Sequence, residues 1–193
     1  MIKKEKFSPL KMDKQLQNQK GMSAFTIAAS VVIGALLIIG GVSLFNFVGN
    51  QKLNNFQSEI STLKGKTSAA FLNTSQINAN DISVSNLAAL GFWPASMVST
   101  SGGNTVVADS FGGGVTVAAG NVNSNGDSII FTYANVPKSI CVGLGSGILD
   151  SSVEVMTANG SSIKASGGSS SLANAVNGCN QGDLNSVSFT ITK

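Results

Sequence analysis

Between Lys20 and Lys52 the chain carries no ionisable side chain. The most apolar part, Ala24 to Val48, reads AFTIAASVVIGALLIIGGVSLFNFV. As a helix it would extend about 37 Å, enough to cross a hydrocarbon core with some tilt. Six lysines precede it (Lys3, Lys4, Lys6, Lys11, Lys14 and Lys20), against only Glu5 and Asp13. That bias keeps the start of the chain in the cytoplasm and sends the remainder across the membrane. A cleaved signal peptide is the competing reading, but its apolar core should run only about 7–15 residues. The length favours a retained span, roughly Met22 to Asn50.

After Gly49 the apolar residues Leu53, Phe56, Ile60 and Leu63 recur at three- and four-residue steps among Gln, Asn, Ser, Glu and Lys. This spacing predicts an amphipathic continuation of the same helix. No proline interrupts Met22 to Phe71, so one helix of about fifty residues is expected. Gly34, Gly40, Gly41 and Gly49 are places where it could bend, or where another helix could approach closely.

From about Asn73 the composition turns to Ser, Asn, Gly, Ala and Val. A short helix is expected over Asp81–Leu90, capped by Asn80 or Asp81 and stopped by Gly91 and Pro94. Val115–Ala119 and Ser128–Tyr133 read as strands joined through Asn121-Val-Asn-Ser-Asn-Gly126. Pro137 suits the first turn of a helix running to about Ile148, with Ile140, Cys141, Leu144 and Ile148 on one face. Val153–Met156 and Ser162–Ala165 bracket Asn159-Gly160, a hairpin signal. Gly167-Gly-Ser-Ser-Ser is a loop. Ser186–Thr192 alternates cleanly, with Val187, Phe189 and Ile191 inward. There is no internal repeat.

Several function classes have little to stand on. The formal charge of +3 resides in the first 21 residues; from Met22 onward six lysines face seven acids. There is no arginine and no histidine. Nucleic-acid binding is not expected, because arginine is the usual reader of phosphates and base edges. Catalytic residues are not expected either. Without histidine no Ser-His-Asp or Cys-His arrangement can be built, and Gly143-Leu-Gly-Ser-Gly147 fits neither a nucleophile elbow nor a dinucleotide loop. Asp150 and Glu154 read as solvated acids at a helix end and a strand. No cofactor and no metal are expected. Cys141 and Cys179 have neither histidine nor a second cysteine pair to complete a zinc site. In an exported domain they read as one disulfide, closing a loop worth roughly 3–4 kcal/mol. In a cytosolic domain they would be two buried free thiols. Trp93 beside Pro94 reads as a packing residue, with a sugar platform as the alternative.

The segment Lys20-Gly21-Met22-Ser23-Ala24-Phe25-Thr26, opening an uncharged helix that turns amphipathic, resembles the type IV pilin family. The long leader and the methionine after the glycine resemble its type IVb branch. Phe111-Gly-Gly-Gly-Val-Thr-Val117, Phe131-Thr-Tyr-Ala-Asn-Val-Pro-Lys-Ser-Ile-Cys141 and Asn185-Ser-Val-Ser-Phe-Thr-Ile-Thr192 are similar to PilS-type pilins of thin conjugative and enterobacterial pili. The resemblance covers essentially the whole chain. It implies an α+β fold, with a long N-terminal α-helix packed on an antiparallel β-sheet and a disulfide-bounded C-terminal region.

The implied organisation has a basic leader over 1–21, removed by a prepilin peptidase between Gly21 and Met22. An apolar half-helix follows over 22–50, first in the membrane and then in a filament core. A head occupies 51–193, with the amphipathic half-helix over 51–72 and the rest over 73–193. Glycine before the cut lets the backbone enter a narrow site. The freed Met22 amine would be N-methylated, and the subunit would polymerise with its copies through the inner-membrane assembly machinery. The precursor would sit in the inner membrane with a periplasmic head, and the product would be an extracellular pilus for adhesion or mating contact. The family's pattern places a glutamate at the fifth mature residue, to pair with a neighbour's amine. Here that residue is Thr26, which cannot neutralise an ammonium in a low-dielectric core. Thr26 therefore raises a second reading, a minor pilin, pseudopilin or anchored adhesin that starts or tips a fibre.

Overall fold

A computed structural model describes residues 51–193. Its first element, helix α1, covers 51–71. Phe56, Ile60, Leu63 and Thr67 are its buried residues, a 3.6-residue rhythm that puts one stripe against the sheet. Among the described residues no helix is long and apolar enough to cross a membrane. The stretch Ala24–Val48, read above as the span, lies outside them.

The sheet has five strands in the order β3-β4-β7-β5-β6, where β3 is Val115–Gly120, β4 Ser128–Val136, β5 Val155–Ala158, β6 Ser161–Lys164 and β7 Asn185–Thr192. Every pairing is antiparallel. β4 and β7 set opposite each other Ile129 and Ile191, Phe131 and Phe189, Tyr133 and Val187. All six side chains are buried, so the alternation of both strands feeds one apolar face. On the other face Thr132 and Ser188 hydroxyls meet at 2.8 Å. The Asn159-Gly160 turn between β5 and β6 has positive φ at both residues, 50° and 81°. This is the backbone that asparagine and glycine tolerate best and that suits the twist of a hairpin.

Three expectations need correction. The helix foreseen over Asp81–Leu90 is a 3-10 turn, Ala79–Asp81, followed by α2, Val84–Ala89. Its cap is Ser83, whose hydroxyl accepts the Asn86 N–H at 3.1 Å, so neither Asn80 nor Asp81 caps it. The helix foreseen from Pro137 to Ile148 ends early. α3 is Lys138–Gly143 and a 3-10 turn, Leu144–Ser146, follows. Glycines at 143, 145 and 147 remove the helix preference there. The Val153–Met156 strand is displaced to Val155–Ala158, because Ser152 and Val153 donate back to the Leu149 carbonyl in a turn.

Two elements were not foreseen. β1 (Val98–Ser101) and β2 (Asn104–Val107) form a separate two-stranded sheet. α4, Leu172–Gly178, follows the Gly-Ser loop and is capped by the Ser171 hydroxyl.

Candidate functional site

The described part of the chain positions its helix with one aromatic cluster. Phe56 is fully buried, with ring centroids 5.3 Å from Phe111, 5.1 Å from Tyr133 and 5.6 Å from Phe189. All three contacts are edge-to-face, the favourable arrangement for aromatic quadrupoles. One turn on, Glu59 accepts the Tyr133 phenol proton at 2.7 Å. Burial pushes the Glu59 carboxyl up, the Tyr133 hydrogen bond opposes this, and the negative charge of Asp109 adds to the rise. Burial and the nearby Glu59 charge hold the Tyr133 phenol well above its ordinary value. The buried Trp93 indole N–H has no hydrogen-bond partner among the described residues. Asp109 organises the adjoining loop, its Oδ1 accepting the Phe111 and Gly113 N–H groups at 2.8 Å each.

These groups give a signed pH prediction. The folded chain holds the Glu59 proton to higher pH than the unfolded chain, so ionisation of Glu59 penalises the fold. The penalty is absent below the unfolded carboxyl value, grows as pH rises towards the folded value, and is complete above it. Glu59→Gln retains an oxygen for the Tyr133 hydroxyl and cannot ionise. Thermal unfolding should therefore show the variant more stable than the parent at neutral pH and level with it in acid. A parent more stable than Glu59→Gln at pH 7.5 contradicts this account.

The disulfide-bounded segment flanks α1. Cys141 on α3 and Cys179 at the end of α4 are bonded, with Cα atoms 5.8 Å apart and 38 residues of separation. Within the loop, the buried Lys164 amine donates to the carbonyls of Asp150 at 2.8 Å and Val153 at 2.5 Å. The Asp150 carboxylate in turn accepts from the Ser170 N–H and hydroxyl. This is a tighter role than the solvated acid expected from sequence. α1 is stitched to the segment by Gln57 Nε2 to the Ile148 carbonyl at 3.1 Å, the Ser61 and Ser152 hydroxyls at 3.2 Å, and Lys64 Nζ to the Ser151 carbonyl at 3.1 Å. On the helix's other flank the Lys66 amine donates to the Gly91 carbonyl.

Of the residues singled out from sequence, Gly21, Met22 and Thr26 lie outside the described residues. Trp93 is 3% exposed and packs edge-on to Phe131, the packing role expected of it. Tyr133 is fully buried and presents no ligand platform. Among the described residues no cluster of three His, Cys, Asp or Glu could hold a metal. Sequence reading missed Glu59, Asp109 and Lys164 as organisers. For Glu59 the available signal was an acid on the apolar side of an amphipathic helix, between Phe56 and Ile60.

A helix laid on an antiparallel sheet, with a disulfide closing the following region, defines a type IV pilin-like head. The crystal structure of a type IV b pilin from Salmonella typhi superposes with a TM-score of 0.54 at 19% identity, covering 71% of this chain and 97% of that one. Residues 50–192 match the family described as PilS N terminal, and the chain belongs to that pilin family. No curated protein sequence matches it. It is thus a pilin-like subunit, a class that associates with other pilin subunits and with assembly machinery. Membership is consistent with a membrane-associated precursor and an extracellular filament.

Proposed function

We propose that the chain is the structural subunit of a type IVb pilus, made as an inner-membrane prepilin. Prepilin peptidase cuts between Gly21 and Met22, the Met22 amine is N-methylated, and the subunits polymerise into an extracellular filament for adhesion or mating contact. The observation that carries this reading is α1: a helix docked on the sheet over 51–71, in a sequence whose uncharged stretch runs up to Lys52 and follows the lysine-rich Gly21 junction. An apolar helix can leave lipid for a filament core because neighbouring helices replace the lipid contacts. Repeating one heterologous contact gives an open helical polymer. On this reading the subunit works by assembly and not by turnover.

Thr26 favours a second reading, in which a subunit lacking the neutralising carboxylate starts or tips a fibre. Gly21→Trp tests the first reading. Unprocessed precursor should accumulate and surface fibres should disappear. Normal processing of the variant contradicts the pilin mechanism, and blocked processing with fibres intact assigns the minor role. The share of this subunit in sheared fibres separates the same two cases: near-stoichiometric for a major pilin, trace for a minor one.

A further inference from the structure

Beyond the end of α1, the segment 74–79 meets the loop 121–127 and encloses an open cleft of about 590 Å³, within the range of small-molecule sites. Its walls are held from behind. The Ile77 N–H donates to the Gly126 carbonyl at 2.7 Å, and the Gly126 N–H donates to Asn121 Oδ1 at 2.7 Å. Gly126 has φ +63°, and a Cβ there would come within 2.7 Å of the Ile77 carbonyl oxygen, so the two segments close up only with glycine at this point. Lys193 clamps one wall through its amine, which donates to the carbonyls of Thr74 and Ser75 at 2.6 Å each. Its backbone N–H holds the other through the Asp127 carbonyl at 3.1 Å.

The two charges in this corner are spent on the frame. The Lys193 amine is taken by those carbonyls. The Asp127 carboxylate accepts the N–H groups of Val122, Asn123 and Ser124 at 2.8, 2.7 and 2.9 Å. Burial alone would raise the Asp127 carboxyl, but these backbone donors hold it below its ordinary value. What faces the cleft is neutral. The polar side chains lining it are the carboxamides Gln76, Asn78, Asn121 and Asn125, and no lining residue is charged. Asn78 and Asn121 use their oxygens on backbone N–H groups, and their NH₂ groups make no hydrogen bond among the described residues. Gln76 and Asn125 make no side-chain hydrogen bond among the described residues. Ile77, Ala79 and Ala119 add small apolar surface between them.

We propose that this cleft binds a neutral saccharide. Carboxamides offer donor and acceptor side by side, the pattern that neighbouring sugar hydroxyls present in return. The alanines accept the C–H face of a ring. A phosphate or carboxylate ligand would call for a charge-assisted partner, and the cleft has none to give. The site goes beyond the filament role: it would let the subunit itself touch a glycan. In a fibre, one weak site per copy would gain avidity through repetition, but binding by the single subunit does not depend on assembly.

The test uses the full chain in dodecylphosphocholine micelles, because maltoside detergents carry a sugar of their own. Maltotriose, lactose and chitobiose are titrated while the side-chain amide resonances of Gln76, Asn78, Asn121 and Asn125 are followed by NMR, with 3′-sialyllactose for comparison. At least one neutral sugar should shift these resonances saturably. Gln76→Ala with Asn125→Ala removes two hydrogen-bonding groups that the fold does not use, and should weaken binding about tenfold. Ala119→Phe, which fills the cleft and leaves every carboxamide in place, should abolish it. The proposal is overturned if no neutral sugar shifts these amides, if only the sialylated sugar does, or if both variants bind as the parent does.

Discussion

Phe56→Ala is expected to destabilise the head by about 3–5 kcal/mol, the usual cost of emptying a fully buried phenylalanine site. The position is sensitive because the ring touches three different parts of the structure. Phe189 belongs to β7, Tyr133 to β4, and Phe111 to the loop that Asp109 organises. A helix surface can shift to fill a hole on one side, but not one bounded on three. The same substitution loosens the helix turn carrying Glu59, and with it the hydrogen bond to Tyr133. Trp93 is the chain's single tryptophan and lies in the adjoining core, so its fluorescence during denaturation of the full chain in micelles reports the loss. Phe111→Ala, at a half-buried ring, should cost clearly less. Equal losses for the two variants would contradict the three-sided box.

Replacing both cysteines by alanine is the second large perturbation. The unfolded chain gains the freedom of a 38-residue loop, a change of roughly 3–4 kcal/mol in the chain-entropy account. The folded chain also loses the tie between α3 and the end of α4. The contacts that bind α1 to residues 148–152 stand on that loop, so the helix should become more accessible to protease as well. The decisive comparison is with a reducing agent: it should lower the parent's denaturation midpoint and leave the double variant unmoved. A parent indifferent to reduction would remove the disulfide from the account of stability.

The legible parts of the fold are those where burial follows a regular period. β3, β4, β7 and the exposed and buried faces of α1 were visible because Val, Ile and Phe mark every second or every third-to-fourth residue. The Asn159-Gly160 turn was visible because few other pairs tolerate two positive φ values in succession. β1 and β2 were not, since Val98-Ser-Thr-Ser101 and Asn104-Thr-Val-Val107 have burial patterns that leave most positions exposed. α4 escaped for a related reason. Its apolar residues Leu172 and Val176 are exposed, and the side chain it buries is the small Ala175. In the candidate site, the two cysteines were readable because few chemistries use them. The Glu59–Tyr133 bond was not, because it joins residues 74 apart in sequence. The cleft escaped too, being made of two ordinary polar turns whose meeting depends on Gly126.

β7 follows the other six strands in sequence yet lies between β4 and β5 in the sheet. β4 and β5 therefore wait, with no partner for their facing edges, until Asn185–Thr192 has arrived. Most of the head must therefore be present before its sheet can close, a non-local order of events that is intrinsically slow. A chain interrupted anywhere before Asn185 lacks the middle of the sheet, not its margin. Such a fragment leaves the facing edges of β4 and β5 unpaired and open to aggregation and proteolysis, so the topology makes closure of the sheet conditional on β7.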